Sequence, residues 1–257
     1  MKLPLSRRVA PDLQFLAETG STNAELVRQA STGSLADFTV VATTSQTTGR
    51  GRLDRVWVAP PGRTIAVSVL LKPGAVPMQR LGWMPLMAGL AMTRAVASLV
   101  QGPAVTLKWP NDVLVDSLKV SGLLAELLPG AAGVVVGAGL NLTMSADELP
   151  TSTSTSLTLV GAAKADIVDR ALAAYLGQLR QSYDEFASTG FDPEAGLRGE
   201  VQAGCDTIGR PVRVELPGAP DLHGTAEGID DLGRLQVRRD GELLSVAAGD
   251  VTHLRYE

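Results

Sequence analysis

The chain has 257 residues, 45% of them hydrophobic, and a formal net charge of −4 at pH 7. This length allows one large domain, or one typical domain with a smaller one, and the hydrophobic content is enough for a buried core. The acidic balance argues against non-specific nucleic-acid binding as the main activity. No apolar stretch approaches the roughly 20 residues of a membrane-spanning helix, and no secretion signal begins the chain. We therefore predict no membrane association.

Cysteine and histidine usage restricts the chemistry further. The single cysteine, Cys205, cannot form an internal disulfide, which is typical of a reducing compartment, so we predict a cytoplasmic protein. The two histidines, His223 and His253, both lie near the C-terminus. A histidine-activated nucleophile or a histidine-ligated zinc site is therefore not predicted around the polar motifs of the first half.

The first half of the chain reads as a sheet with a buried helix. The β-branched runs 38–45 and 64–71 predict two strands, and GRGRLDRVW at 49–57 is predicted to be the loop that joins them. Residues 84–100, which carry hardly a charge, predict a buried helix. Four apolar runs then predict the rest of the sheet on which that helix packs: 104–109, 112–115, 120–128 and 133–142.

The second half changes character twice. Residues 145–158 are rich in Ser and Thr and predict a loop, and apolar residues from Ile167 to Phe186 recur at helical spacing. Residues 190–204 are predicted to be a connecting stretch with a helical turn. From residue 207 onward, short alternating runs separated by turn signals predict a small all-β domain. We therefore predict two domains, 1–204 and 205–257.

The segment GRGRLDRVW concentrates positive charge on a stretch too rich in glycine for a helix. It carries Arg50, Arg52 and Arg55 together with Gly49 and Gly51. Glycine lets backbone N–H groups approach an anion, and arginine supplies forked donors, so the segment suits phosphate or carboxylate. Neither the dinucleotide fingerprint nor the common P-loop occurs in the chain. A nucleotide bound here would be bound by another design.

A second polar cluster, KWPND at 108–112, places a ring, an amide and a carboxylate at a predicted turn, because Pro110 cannot extend a central strand. Lys119 follows in an otherwise apolar context. This lysine has two interpretations: a side chain that reaches solvent from a sheet edge, or an ammonium directed at a bound anion.

Taken together, these motifs resemble the biotin protein ligase family. They occur in the family's order and at about its spacing: TGSTNAEL at 19–26, TSQTTGRGRLDRVW at 44–57, KWPNDVLV at 108–115, KVSGLLAEL at 119–127 and VVVGAGLNL at 134–142. The resemblance runs from about residue 15 to the C-terminus. One position departs from it: family members usually have glycine where this chain has Asp54.

The resemblance implies an α+β fold. Its catalytic domain would be a mixed β-sheet flanked by helices, of the class II aminoacyl-tRNA synthetase-like biotin/lipoate ligase type, followed by a small C-terminal SH3-like β-barrel. The implied activity uses ATP, Mg²⁺ and biotin to form biotinyl-5′-AMP. The biotinyl group then passes to a lysine of the biotin carboxyl carrier protein region of an acyl-CoA carboxylase.

The resemblance also implies roles for individual residues. Lys119, Arg50 and Arg52 would be catalytic, and no protein ligand for a metal is expected. Asp112 would orient its neighbours. Biotin would be bound by Ser21, Thr22, Asn23, Gln46, Gly49, Arg50, Gly51, Arg52, Lys119 and Gly122. The nucleotide would be bound by Arg52, Arg55, Trp57, Asn111, Lys119 and Asn141.

Three other functions stay open at this stage. Lipoate and octanoate transferases share the fold and a lysine, although the GRGR and KWPND motifs favour biotin. A biotin-sensing repressor would need a DNA-binding domain, and only about 18 residues precede the first motif, so we expect the short form without specific DNA binding. A non-catalytic binding module would not need Lys119. Both monomers and homodimers are compatible with the sequence.

Overall fold

A computed structural model of the chain describes residues 1–52, 55–74, 76–216, 218–247 and 249–253. Asp54, the departure from the family pattern, lies outside the described residues. Within them, no helix is both long enough and apolar enough to cross a membrane.

The described residues form helices and strands in both halves of the chain. The α-helices are α1 (Ser6–Val9), α2 (Thr22–Thr32), α3 (Trp83–Ala97), α4 (Ile167–Ser188) and α5 (Leu197–Gly204). Short 3₁₀ turns span Met78–Gly82, Pro129–Ala131 and Pro193–Ala195. The strands are β1 (Gln14–Leu16), β2 (Val40–Thr43), β3 (Gly49–Arg50), β4 (Val56–Trp57), β5 (Thr64–Leu71), β6 (Val105–Lys108), β7 (Asp112–Val115), β8 (Leu118–Leu127), β9 (Val134–Asn141), β10 (Pro211–Glu215), β11 (Leu222–Ile229), β12 (Leu235–Arg239), β13 (Glu242–Val246) and β14 (Asp250–His253).

A seven-stranded mixed sheet organises the first 200 residues, in the order β1-β2-β5-β9-β8-β7-β6. Its centre is the long antiparallel trio β5, β9 and β8, and the β1–β2 pair is parallel. The β5 sequence TIAVSVLL is buried along its whole length, as expected for a central strand covered on both faces.

Side-chain alternation gives the sheet two different faces. On β9, Val134, Val136, Ala138 and Leu140 belong to the main hydrophobic core, whereas Val135 belongs to a small separate cluster with Leu26 of α2. Because successive side chains of a strand point to opposite faces, Gly137, Gly139 and Asn141 share the face of Val135. One face therefore packs apolar side chains, and the other carries small and polar ones.

The helices α3 and α4 cover the apolar face. Residues of α3 such as Trp83, Leu86 and Met92 are buried in the main core, and so are Leu172 and Leu179 of α4. The buried Asp169 of α4 anchors the N-terminal helix by accepting hydrogen bonds from the backbone N–H groups of Leu5 and Ser6 and from the Ser6 hydroxyl. Burial alone would raise the pKa of Asp169, but these hydrogen bonds lower it.

The C-terminal segment forms a five-stranded antiparallel sheet in the order β13-β12-β11-β10-β14. Its apolar side chains, among them Val212 and Val237, join the main core. Trp83 donates from Nε1 to the carbonyl oxygen of Asp231 at 2.8 Å, so α3 is also fixed to this sheet. The α+β fold with a small C-terminal β domain is confirmed, with an open strand order among the described residues. The division at 204/205 stays a prediction.

Most predicted elements are confirmed, and two interpretations need correction. GRGRLDRVW is not a plain loop, because its two ends pair as the β3–β4 hairpin, Gly49 opposite Trp57 and Arg50 opposite Val56. Two-residue strands leave no periodic pattern in a sequence. The stretch 190–204 is more helical than predicted, since α5 occupies Leu197–Gly204. The glycines of this stretch argue against a helix in the sequence, although the helix is amphipathic and buries Leu197 and Val201.

Candidate active site

A cavity of about 800 Å³ lies over the polar face of the central sheet. Its walls come from the N-terminus of α2, the β3–β4 hairpin, strands β8 and β9, the KWPND turn and strand β14. Ligand sites of proteins commonly have volumes of about 300–1,000 Å³, so the cavity has room for a large small-molecule ligand.

Three glycines on neighbouring strands make the floor of this cavity. Gly122 of β8 pairs with Gly139 of β9, and Gly137 lies two residues before Gly139 on the same face. A Cβ on Gly122 would lie 3.2 Å from Lys119 Nζ, one on Gly139 would lie 2.6 Å from the Trp57 ring, and one on Gly137 would collide with the Asn23 amide. The missing side chains therefore let these three groups lie directly on the sheet.

Helix α2 begins at the cavity wall. Ser21 caps the helix, because its Oγ accepts from the backbone N–H of Ala24. Gln46 Oε1 accepts from the backbone N–H of Thr22 at 2.8 Å and from the Thr22 hydroxyl at 3.2 Å. Neutral amide and hydroxyl groups thus converge at this end of the cavity, where they suit a neutral polar ligand group.

The Asn23 amide is held on both sides by the protein. Its Nδ2 donates to the carbonyl oxygen of Leu124 at 3.2 Å and to Glu126 Oε2 at 2.6 Å. Its Oδ1 accepts from the Ser68 hydroxyl at 2.6 Å. Since Asn23 is only 4% exposed and both Nδ2 hydrogens have protein acceptors, it shapes this end of the cavity rather than offering a donor to a ligand.

Lys119 projects into the cavity from the start of β8. Its ammonium lies 2.7 Å from Asp112 Oδ1, an ion pair across the β7–β8 ladder whose geometry is not that of an aligned hydrogen bond. The backbone of Lys119 bridges the 145–158 segment as well, donating to Thr153 O and accepting from Thr155 N. The lysine is therefore fixed at its backbone while its ammonium, 36% exposed along the side chain, faces the cavity.

The arginines of the Gly/Arg segment contact different parts of the site. Arg50 Nη2 donates to Glu126 Oε2 at 2.9 Å. Arg52 donates to Asn111 Oδ1 at 3.1 Å and to the carbonyl oxygen of Gly249 at 3.2 Å. Gly51 N–H donates to the carbonyl oxygen of Arg55 at 2.7 Å, which closes the hairpin. Arg52 therefore ties the segment to both the KWPND turn and the C-terminal domain.

Trp57 and two asparagines form the remaining polar wall. The half-buried Trp57 ring lies on Gly139, and its buried Nε1 has no hydrogen-bond partner among the described groups. Asn111 Nδ2 donates to Leu123 O at 2.7 Å, and Asn141 Nδ2 donates to Thr155 O at 2.9 Å. These bonds fix both asparagine side chains at the cavity edge.

The C-terminal domain completes the cavity with Arg210, Val251, Thr252 and His253. The Thr207 hydroxyl accepts from the backbone N–H of Trp109 at 3.0 Å and lies 3.1 Å from His253 Nε2. Burial lowers the pKa of His253 to about 4, aided by the charge of Lys108. His253 is therefore neutral near pH 7 and joins the two domains through Thr207.

The structure brings the predicted site residues together with one exception. The cavity is lined by Ser21, Thr22, Asn23, Gln46, Arg50, Gly51, Arg52, Arg55, Trp57, Asn111, Lys119, Gly122 and Asn141. Gly49 does not line it, but a Cβ there would lie 2.8 Å from Gln46 Nε2 and 2.5 Å from Trp57 O. The individual roles of these residues stay predictions.

Sequence reasoning missed several residues of the site. Glu126 belongs to the KVSGLLAEL motif, but the sequence analysis assigned it no role. Ser68 lies in the predicted strand 64–71, where a hydroxyl among apolar residues was the only feature that could have indicated a polar contact. Arg210 and His253 line the cavity because the C-terminal domain packs against it, whereas Lys108, the first residue of KWPND, lies on β6 of the main sheet. No local pattern in the sequence predicts that packing.

The oxygen donors at the cavity fit a Mg²⁺ ion that is already bound to a nucleotide. Among the residues that the structure describes, no group of three or more His, Cys, Asp or Glu side chains could hold a metal ion. Asn111, Asn141 and Asp112 supply only neutral oxygens and one carboxylate near the cavity. Such a set fits an ion already coordinated by phosphate oxygens.

Family models match the two parts of the chain. The model of the Biotin/lipoate A/B protein ligase family matches residues 16–141, and that of the Biotin protein ligase C terminal domain matches residues 207–254. The fold and the site therefore define a biotin/lipoate ligase catalytic domain joined to the C-terminal domain of biotin ligases.

Whole-chain comparisons agree with these matches. The chain is 41% identical to the biotin–[acetyl-CoA-carboxylase] ligase of Mycobacterium tuberculosis, over 95% of this chain and 89% of the relative. It is 33% identical to the corresponding ligase of Paracoccus denitrificans, over 92% and 98% of the two chains. The structure of the Aquifex aeolicus biotin protein ligase in complex with biotin and ATP is similar to this fold, with a TM-score of 0.76, 25% identity and coverage of 95% and 99%. The chain belongs to the biotin protein ligase family.

Proposed function

We propose that this protein is an ATP-dependent ligase that activates biotin as biotinyl-5′-AMP and transfers the biotinyl group to a lysine of a biotin carboxyl carrier protein. The observation that carries the proposal is the composition of one cavity. It combines a neutral hydrogen-bonding end around Thr22 and Gln46, the ammonium of Lys119, and the arginine segment with Arg52. Those groups match a ureido ring, a carboxylate and a phosphate chain respectively.

The first step needs no protein nucleophile. An oxygen of the biotin carboxylate, ionised at pH 7, forms a bond to the α-phosphorus of ATP, and the bond from that phosphorus to the bridging oxygen breaks as pyrophosphate leaves. The protein has to bring two anions together and stabilise the charge that develops at phosphorus. Lys119 and Arg52 supply positive charge in the cavity, and Mg²⁺ enters as part of the MgATP substrate.

The second step transfers the acyl group. The amine of the carrier lysine forms an amide bond with the acyl carbon, AMP leaves with the bonding electrons, and the amine proton is released to solvent. Until then the mixed anhydride must be shielded from water. The β3–β4 hairpin and the Arg52 contacts to Asn111 and Gly249 give the cavity a cover suited to that task.

An acylation assay tests this function. The purified protein, MgATP and an apo carrier domain are incubated with biotin, lipoate or octanoate in parallel, and the carrier is weighed by mass spectrometry. We expect a mass increase with biotin alone. An increase with lipoate or octanoate instead would make the protein a transferase of the related type. Biotin binding without any increase would make it a sensor or binding module.

Three further properties belong to the same proposal. We propose a cytoplasmic enzyme that does not bind DNA specifically, which is consistent with its use of ATP and its net charge of −4. A gel-shift assay with its own control region at moderate salt should show no complex. The enzyme is proposed to act as a monomer or a homodimer, and light scattering during gel filtration distinguishes the two.

A further inference from the structure

Glu126 contacts Asn23 and Arg50, two cavity-lining residues that the sequence analysis assigned to biotin. It is near the end of β8, where it pairs with Val135 of β9. Because alternate residues of a strand share a face, Glu126 follows Gly122 and Leu124 on the cavity side of the sheet. Its side chain is 27% exposed, so it is partly shielded from water.

One oxygen of this carboxylate joins two parts of the site. Glu126 Oε2 accepts from Asn23 Nδ2 at 2.6 Å and from Arg50 Nη2 at 2.9 Å. Asn23 belongs to helix α2, and Arg50 belongs to strand β3 of the hairpin. Charge-assisted hydrogen bonds are about twice as strong as neutral ones, so this shared oxygen is a firm link between the buried amide and the hairpin.

The position of Arg50 separates it from the reacting groups. Glu126 is four residues beyond Gly122, which corresponds to about 13 Å along the strand. Gly122 is the residue beside the Lys119 ammonium. The residue to which the Arg50 guanidinium is bonded thus lies about 13 Å along β8 from the glycine beside the Lys119 ammonium. Arg52, by contrast, donates a hydrogen bond to Asn111. Asn111 directly precedes Asp112, the residue that pairs with the Lys119 ammonium.

We propose that Glu126 is a positioning residue, which fixes the Asn23 amide and fastens Arg50 so that β3 stays on the sheet without ligand. Arg50 is then a fastener of the hairpin, and the chemical work falls to Arg52 and Lys119. This inference rests on the proposed function for its kinetic consequences, but its structural consequence can be measured without any substrate.

Hydrogen–deuterium exchange of the ligand-free protein tests the structural consequence. In Glu126→Gln, amides of the peptide covering residues 46–57 should exchange about fivefold faster, because a protein segment held by fewer contacts opens more often. Glu227→Gln is the matched control: Glu227 pairs with Arg238 at 2.6 Å in the C-terminal sheet, away from the cavity. Unchanged exchange of 46–57 in Glu126→Gln would overturn the proposal.

The kinetic test uses Glu126→Gln, Arg50→Gln and the double variant. Each single variant should raise the KM for biotin and the dissociation rate of biotinyl-5′-AMP by about five- to tenfold, with kcat for adenylate formation changed less than about threefold. The double variant should be no worse than the singles, because both remove the same link. A merely structural role would not separate KM from kcat in this way.

Two kinetic results would contradict the inference. One is a kcat that falls at saturating substrate in Arg50→Gln but not in Glu126→Gln, which would place Arg50 on the phosphate. The other is adenylate dissociation at the wild-type rate in both variants. If the wild-type protein forms no biotinyl-5′-AMP, the proposed function fails, while the exchange experiment still tests the link between Glu126 and Arg50.

Discussion

Lys119 can lie on the sheet because Gly122, the residue beneath its ammonium, has no side chain. A Cβ on Gly122 would lie 3.2 Å from Lys119 Nζ and 3.5 Å from Asp112 Oδ1, and the ammonium and that carboxylate oxygen are 2.7 Å apart. The ion pair orients the lysine in the structure, and we propose that this leaves little reorganisation for the reaction itself. Preorganised charge of this kind is commonly the largest contribution to catalysis.

Lys119→Gln should therefore lower the rate of adenylate formation by about 10²–10³-fold, the typical effect of removing one group that stabilises transition-state charge. The fold should survive, since Lys119 is partly exposed. Single-turnover quench-flow with wild-type protein and with Lys164→Gln, an exposed lysine outside the cavity, provides the measurement and its control. A rate within threefold of wild type would remove Lys119 from the chemistry.

The floor glycines should differ in what an added methyl group disturbs. Gly139→Ala would push the Trp57 ring, which belongs to the hairpin, so we expect a higher KM for ATP and an unchanged free energy of unfolding. Gly137→Ala would push the buried Asn23 amide, so we expect a loss of stability of about 1–3 kcal/mol. Urea unfolding and steady-state kinetics of the two variants should show opposite patterns, and equal destabilisation would contradict this reading of the floor.

For individual residues, the sequence predicted which side chains gather at the cavity but not which of them are hydrogen-bonded to each other. The motif residues converge on one cavity, because motifs preserve the local chemistry of a site. Asn23 and Glu126 are 103 residues apart in sequence, and Arg50 and Glu126 are 76 apart. Such pairs depend on strand register over the whole sheet, which no local pattern encodes.

Among the elements, the β3–β4 hairpin decides how the cavity is covered. Its two short strands follow β2 and precede β5 in the sequence and, among the described residues, pair only with each other. Arg52 fastens the hairpin through hydrogen bonds to Asn111 and Gly249. We propose that this hairpin acts as the cover of the cavity. Lids of this kind often limit product release rather than the chemical step.

Arg52→Gly should accordingly weaken retention of biotinyl-5′-AMP more than it slows its synthesis. The variant loses the side chain that links the hairpin to the KWPND turn and to the C-terminal domain. Stopped-flow or filter measurements of adenylate release, compared with single-turnover synthesis in the same preparation, give the two rates. Release no faster than in the wild-type protein would show that Arg52 does not hold the cover closed.

Elements were predicted well where a long periodic pattern exists. Strand β5, helix α3 and helix α4 match the sequence prediction closely, because each buries a continuous set of apolar residues. The hairpin was predicted as a loop, and α5 was predicted only as a helical turn, since both are short and rich in glycine. Their conformations come from tertiary packing, which overrides local propensity.

In the whole molecule, the C-terminal sheet is part of the catalytic cavity rather than an appendage. The Thr207 hydroxyl accepts a hydrogen bond from the backbone N–H of Trp109 and lies 3.1 Å from His253 Nε2. The carbonyl oxygen of Gly249 accepts a hydrogen bond from Arg52. The bond between Arg52 and Gly249 spans 197 residues of sequence. The sequence could predict a small β domain, but its contacts with the active site follow from how two separately predicted units pack.

This packing gives the stability of the protein a defined pH dependence. The folded-state pKa of His253 is about 4, because of burial and the charge of Lys108, against 6.5 for an ordinary histidine; Asp206 opposes this shift and Arg210 adds to it. Between these values the unfolded chain binds the extra proton, so stability falls as the pH drops from about 6.5 to about 4. The loss is at most about 3 kcal/mol.

His253→Gln should flatten that dependence. Urea unfolding at pH 7.5, 6 and 5 measures it, and His223→Gln is the matched control because His223 is the other histidine and is exposed on β11. The wild-type protein and His223→Gln should lose stability in parallel, whereas His253→Gln should lose less. Parallel loss in all three proteins would show that His253 does not set the acid sensitivity.

The most direct test of the account is to look for the intermediate itself. The protein is mixed with biotin and MgATP without any carrier, passed through a desalting column, and analysed by mass spectrometry for bound biotinyl-5′-AMP, with pyrophosphate release measured in parallel. We predict stoichiometric biotinyl-5′-AMP retained by the wild-type protein and almost none retained by Lys119→Gln. Recovery of biotin and ATP unchanged, with no pyrophosphate released, would contradict it.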